Sequence, residues 1–210
     1  ATRGADGRVT YQDQAPALGI ADTGWGWGTA FTDMDLDGDI DLYAAQGMQE
    51  FLAQQAPELR AEEAHLFLNE GNLTFREATE NGCDIVGDQR TVVPMDYDRD
   101  GDPDLLISQV AYHATLLENQ TNGQGWLTVD LSRAAAQTAG ARVTVTIADH
   151  RSTQVALYGG SYLAGMPREL YFGLGAATAV DDVTIAWADG TTTRLGPLEG
   201  NRVLTVTPEG

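Results

Sequence analysis

The sequence predicts an all-β chain in two parts, a pair of repeated hairpin units followed by a small β-sandwich or barrel. Three observations predict it. Two acidic windows of nine residues follow one pattern. Short apolar runs rich in β-formers flank each window. From Trp126 onward the acidic loops stop and apolar–polar alternation takes over. With 210 residues and 42% apolar side chains the chain has material for a core and fits one or two domains, which excludes a disordered polymer.

Charge narrows the partners. Twelve basic residues against 31 acidic ones leave a formal charge of -19. Such a chain repels phosphate backbones and anionic headgroups, so nucleic acid and membrane surfaces are disfavoured and cations favoured. Every basic residue is Arg, a pattern expected of a GC-rich genome or, with the acidic surface, of a saline habitat. No apolar run approaches the roughly 18 residues of a membrane span. The single cysteine, Cys83, excludes an internal disulfide and a thiolate metal cluster, and is expected as a small buried filler. The chain starts at Ala1 rather than Met, so a processed or trimmed N-terminus is expected.

The acidic windows form an internal repeat. The first is Asp33-Met-Asp35-Leu-Asp37-Gly38-Asp39-Ile-Asp41 and the second is Asp96-Tyr-Asp98-Arg-Asp100-Gly101-Asp102-Pro-Asp104. Five carboxylates in nine residues repel one another, and a calcium ion supplies the reason for their spacing. Calcium takes six to eight oxygen ligands, and positions 1, 3 and 5 of a tight loop turn alternate carboxylates inward. Gly at position 6 permits the sharp turn that aims the position 7 carbonyl at the ion. The expected ligands are Asp33, Asp35, Asp37 and Asp41 by side chain and Asp39 by backbone. In the second loop they are Asp96, Asp98, Asp100 and Asp104 by side chain and Asp102 by backbone. Magnesium, which keeps several waters and needs few carboxylates, fits less well. The bland alternative is a solvated acidic turn, which two copies with Gly at the same place disfavour.

These are not EF-hand loops. Position 12 is Ala44 or Ile107 rather than Glu, and Pro103 removes an N–H at position 8 of the second loop. The flanks Gly28–Thr32, Asp41–Ala45, Thr91–Met95 and Asp104–Ser108 have the composition of strands, so each loop closes a β-hairpin. His65–Asn69 and Leu73–Ala78 complete a first four-stranded unit around the turn Glu70-Gly71-Asn72. Met48–Glu63, rich in Gln, Ala and Glu, is a candidate surface helix. Ala114–Glu118 matches the third strand of a second unit. Four strands repeated about every sixty residues mark a β-propeller blade.

Two stretches carry a resemblance. Gly26-Trp-Gly-Thr-Ala-Phe-Thr-Asp-Met-Asp-Leu-Asp-Gly-Asp-Ile-Asp-Leu-Tyr43 and Leu66-Phe-Leu-Asn-Glu-Gly-Asn-Leu-Thr-Phe75 resemble FG-GAP/VCBS propeller repeats, with Asn72 and Leu73 in place of an Asp-Gly turn. Gly140–Val145, Gly159–Leu163, Phe172–Gly175, Ala186–Gly190 and Asn201–Val206 resemble the ASPIC/UnbV domain. That domain usually has His where Tyr171 stands and Pro where Ala188 stands. Repeats followed by this domain are similar to the cartilage acidic protein family, over about residues 5–208. The resemblance implies a secreted, calcium-binding propeller, hence an extracellular or periplasmic location.

A closed propeller needs roughly four to eight blades. Only one unit is complete, from Gly28 to about Thr79, and a second supplies three strands. Gly7-Arg-Val-Thr-Tyr-Gln-Asp13 is similar to Asn72-Leu-Thr-Phe-Arg-Glu77 and is expected as the fourth strand of an earlier blade. The expected fold is thus a partial β-propeller, its last two blades, over 1–122. Upstream blades are expected on a cleaved piece, a partner chain or an unresolved segment, and the resemblance implies that they supply the missing strand.

Residues 123–210 form the second part, with a boundary near Asn122–Gly125. Leu127–Leu131, Val143–Ile147, Val183–Trp187 and Val203–Val206 alternate with period 2, as half-buried strands do. Asp189-Gly190 is a hairpin turn, and Gly159-Gly160 and Gly173 mark bends. No catalytic set stands out. His150 falls in the expected turn Ala148–Arg151, and Ser161 is a turn residue rather than a nucleophile, having no G-x-S-x-G elbow. Trp25 and Trp27 suit packing between blades, or a sugar pocket. Asn72-Leu-Thr74 and Asn119-Gln-Thr121 match the N-glycosylation pattern at a frequency near chance.

Three functions compete. The first is a secreted calcium-binding module for protein–protein binding, or a scaffold subunit of an extracellular complex. The second is an enzyme, or an accessory subunit of one, with its site on the propeller face, for which His65 and His113 are the local candidates. The third is a carbohydrate-binding module using Trp25 and Trp27 on a glycan.

Overall fold

The computed structural model describes residues 2–3, 6–47, 62–78, 81–110 and 113–208. Among these the regular structure is nearly all strand. A short ladder pairs β1 (Thr2–Arg3) with β2 (Val9–Thr10), and a one-turn helix α1 (Ala15–Leu18) follows. The expected helix over Met48–Glu63 falls outside the described residues apart from its last two positions.

Two sheets carry the acidic loops. The first has the order β3 (Gly26–Thr32), β4 (Asp41–Gln46), β5 (His65–Asn69), β6 (Phe75–Glu77). The second has the order β7 (Gln89–Met95), β8 (Asp104–Gln109), β9 (Thr115–Leu117). All neighbours are antiparallel, and register is equivalent in the two sheets, with Ala30 opposite Tyr43 and Val93 opposite Leu106. Pro94, which cannot donate to a ladder, is tolerated because β7 is an edge strand. The turn before β6 puts Asn72 and Leu73 at φ 53° and 58°, so the pair supplies the backbone that Asp-Gly usually does.

Alternation aims one face of each sheet at the other. Ala30, Tyr43, Ala45, Leu66 and Leu68 of the first sheet meet Val92, Leu105 and Ile107 of the second in one core. The second sheet has three strands among the described residues. The Gly7–Asp13 segment pairs through Val9–Thr10 with Thr2–Arg3 rather than with either sheet.

The remaining strands form a second core. β10 (Gly125–Asp130) leads through a 3-10 turn (Ser132–Gln137) to β11 (Arg142–Ile147), β12 (His150–Val155) and β13 (Glu169–Gly175). Then come β14 (Ala179–Val180), β15 (Asp182–Ala186), β16 (Thr192–Leu195), β17 (Leu198–Glu199) and β18 (Arg202–Thr205). One sheet has the order β13-β10-β18, with β10 and β18 parallel, and the other the order β12-β11-β15-β16. Leu127, Val129, Phe172 and Leu174 from the first pack with Val143, Val145, Val183 and Ile185 from the second, which makes this an open sandwich. Two local expectations change. Gly173 lies inside β13 instead of at a bend, and His150 starts β12 instead of sitting in the turn.

The faces of β8 give a direct test. Ile107 is fully buried, while its neighbour Leu106 points outward. Ile107→Ala is expected to cost about 2–5 kcal/mol and Leu106→Ala less than about 1 kcal/mol in urea unfolding. Equal losses would contradict this assignment of faces.

Candidate metal centre

Each acidic loop spans the gap between two strands whose ends are in register, Thr32 opposite Asp41 and Met95 opposite Asp104. The chain must therefore reverse within eight residues. It does so identically in both copies. Position 4, Leu36 or Arg99, has φ 59° or 68°, and position 6, Gly38 or Gly101, has φ 103° or 106°. The second of these conformations is strained for any residue with a Cβ, which explains the glycine.

The position 9 aspartates are the clasps of the loops. Asp41 is fully buried, and its two oxygens accept the N–H of Met34 and of Asn69, each at 2.7 Å. Asp104 is fully buried too and accepts the N–H of Tyr97 and of Asn119, each at 2.8 Å. The partner asparagines reciprocate. Asn69 donates from its side chain to the Ile40 carbonyl at 3.3 Å and Asn119 to the Pro103 carbonyl at 3.2 Å. Asn119 also reaches the Met34 carbonyl at 2.7 Å, tying the second loop to the first.

The other carboxylates converge. Asp33, Asp35 and Asp37 offer oxygens within 4.8 Å of one another, and so do Asp96, Asp98 and Asp104. The first group leaves out Asp41, and the second leaves out Asp100. Asp37 and Asp100 each accept the N–H two residues on, from Asp39 at 2.8 Å and Asp102 at 3.3 Å. Asp39 is half-buried, whereas Asp102 is buried with neither oxygen hydrogen-bonded.

Electrostatics are unfavourable without a cation. Burial, then the charges of Asp41 and Asp37, push the Asp33 carboxyl up to about 8. Burial pushes Asp41 up to about 7, despite its two N–H donors. Asp102 rises to about 7 through burial, then through Asp100 and Asp104. Asp35, Asp96 and Asp104 are raised as well, burial being the main cause in each. Oδ1 of Asp33, Oδ1 of Asp35 and Oδ2 of Asp96 are buried without a hydrogen-bond partner. Buried, unpaired, crowded carboxylate oxygens make a donor set of hard oxygens that fits a divalent cation such as calcium.

Several of the remaining candidates have other partners. His65 pairs with Glu77 and stacks on Phe67. His113 and His150 are exposed, although His150 Nε2 lies 3.3 Å from the Gly38 carbonyl. Cys83 is half-buried, and burial pushes its thiol up, away from thiolate chemistry. Ser161 Oγ accepts the Val92 N–H at 3.2 Å. Trp27 packs under the Arg90 guanidinium at 4.3 Å and edge-on to Tyr162 at 5.1 Å, while Trp25 is partly exposed.

The asparagines that reciprocate the position 9 aspartates, and the strand β13, were not among the expected site residues. A signal for the first existed, because Leu66-Phe-Leu-Asn69 and Leu116-Leu-Glu-Asn119 share an Asn three residues after Leu.

Two family models match the chain. Residues 47–107 match the FG-GAP-like repeat and residues 132–210 match ASPIC and UnbV. The first match contains the second acidic loop, and the internal repeat extends the pattern to the first. No curated protein matches the chain.

The raised acids set a pH dependence. Their folded pKa values lie above the unfolded value of about 3.9, so the native state holds protons that the unfolded chain releases. That stability is present in full below about pH 4 and is lost as pH rises through about 7 to 8. In chelator, the melting temperature should fall between about pH 5 and pH 8.5, and calcium should shrink the fall. A chelated protein that melts higher at the alkaline end would contradict this.

Proposed function

We propose that this chain, which carries an FG-GAP-like repeat followed by an ASPIC/UnbV domain, is a secreted calcium-binding β-propeller module. It serves protein–protein binding, or acts as a scaffold subunit of an extracellular complex. Residues 1–122 are its propeller blades and residues 123–210 its tail domain. One ion sits in each acidic loop, held by carboxylates of Asp33, Asp35, Asp37 and Asp41 and the Asp39 backbone, and by Asp96, Asp98, Asp100, Asp104 and the Asp102 backbone. The observation that carries this reading is the set of buried carboxylate oxygens without partners, repeated in two loops of equal backbone shape. A location outside the cytoplasm suits such loops, because extracellular calcium saturates even weak sites.

The protein partner is supported by the outer face of the second sheet. Leu106 and Leu116 are cross-strand neighbours there, and both are partly exposed. Their equivalents in the first sheet, Tyr43 and Leu66, are covered by the second sheet. A further sheet, from a partner protein or from upstream blades, fits on Leu106 and Leu116 in the same way. The charge of -19 agrees with a protein partner rather than nucleic acid or an anionic membrane surface.

Calcium removal is the test. Ion binding to the native state alone stabilises by about 2.7 kcal/mol per site at a hundredfold excess over the dissociation constant. Chelation should therefore lower the melting temperature, and Asp37→Ala or Asp100→Ala should lower it with calcium present. A melting curve indifferent to chelator would refute the calcium reading.

A further inference from the structure

One strand of the tail lies across both acidic loops. Leu170, Phe172 and Leu174 of β13 point into the tail core. The alternate residues face the loops in order. The Glu169 carboxylate pairs with the Arg99 guanidinium at 2.7 Å, and the Tyr171 hydroxyl accepts the Asp96 N–H at 3.3 Å. The Gly173 N–H donates to Asp33 Oδ2 at 2.9 Å, and the Gly175 N–H to the Leu36 carbonyl at 2.9 Å. A Cβ on Gly173 would overlap the Asp33 carboxylate and the Leu36 backbone, so only glycine lets the strand come this close.

The two loops use this strand differently. In the first, Asp33 Oδ2 takes N–H groups from Gly38 and from Gly173, and Oδ1 remains buried and unpaired. In the second, the equivalent Asp96 carboxylate takes its N–H from Arg99 of its own loop at 2.7 Å. The tail meets that loop elsewhere, through the backbone N–H of Asp96, the Arg99 side chain and the Trp126 ring over Gly101.

We propose that Gly173 is a positioning residue for the cation of the first loop, so that this loop reaches full affinity only with the tail domain docked on it. The inference rests on the calcium reading given above. An N–H held at one carboxylate oxygen offsets its charge and fixes the torsion that presents the other oxygen. Because coupling is reciprocal, calcium in the first loop in turn tightens the docking of the tail.

Calorimetric calcium titration of the full chain separates the sites. Asp100→Ala leaves the first loop to report, and Asp37→Ala leaves the second. Adding Gly173→Ala to Asp100→Ala should weaken the remaining ion by at least about tenfold, whereas adding it to Asp37→Ala should change affinity by less than about threefold. Equal effects on both loops, or none on the first, would overturn the proposal and leave the calcium reading standing. Absence of calcium binding by the wild type would overturn both. Should the Gly173→Ala chains fail to fold, amide exchange at Gly173 in Asp100→Ala decides instead. Calcium should slow it by at least about tenfold, and an unchanged rate would overturn the proposal.

Discussion

Carboxylates crowded together and partly buried in two hairpin loops impose the constraint to which the rest of this structure answers. A carboxylate taken out of water loses hydration, and a second one beside it adds repulsion. The fold responds by directing backbone N–H groups at some oxygens and leaving others facing one another. Each oxygen of Asp41 and Asp104 accepts one backbone N–H, which closes each loop onto the start of its second strand and onto the asparagine at or just past the end of the third. The oxygens left over, on Asp33, Asp35, Asp96 and Asp102, are buried without partners. The loops thus have the shape of a cation site, and the charges of Arg76 near Asp35 and Arg99 near Asp96 do not outweigh the burial that raises both carboxyls.

Sheet packing places the loops where they influence one another. The two sheets share a register and a core, so both loops emerge at the same end. Asn119, which braces the second loop, therefore also reaches the Met34 carbonyl of the first. The tail sandwich closes over this end with β13, a strand whose period of two lets it serve its own core with one face and the loops with the other. Ser161 extends the same contact away from the loops, where its hydroxyl caps a free N–H of the edge strand β7.

A good part of this architecture is legible in the amino-acid sequence. The D-x-D-x-D-G-D-x-D spacing dictates a tight loop because the glycine at position 6 must take a left-handed backbone, and flanking β-formers turn that loop into a hairpin. His65–Asn69 has the composition of a strand and is one, and the alternating segments of the tail form strands within a residue or two of the expected bounds. Less legible was Phe172–Gly175. Gly173 suggests a bend, and only the loop surface it packs against shows why a straight strand needs it. The Trp25–Gly26–Trp27 segment is similarly ambiguous, since an aromatic suits packing between blades or a sugar equally well until Arg90 and Tyr162 are seen against Trp27.

The division follows the range of the forces involved. By itself the sequence determined the repeat, the loops, the strands and the acidic character, because torsional preference, alternation and the reach of a loop act within a few residues of one another. Only the tertiary structure decided which carboxylates lose their water, that Asp102 is buried while Asp39 is half-exposed, and that a glycine at 173 supports an aspartate at 33. Those outcomes depend on which surfaces meet. A contact between groups 140 residues apart leaves no spacing for a local rule to read.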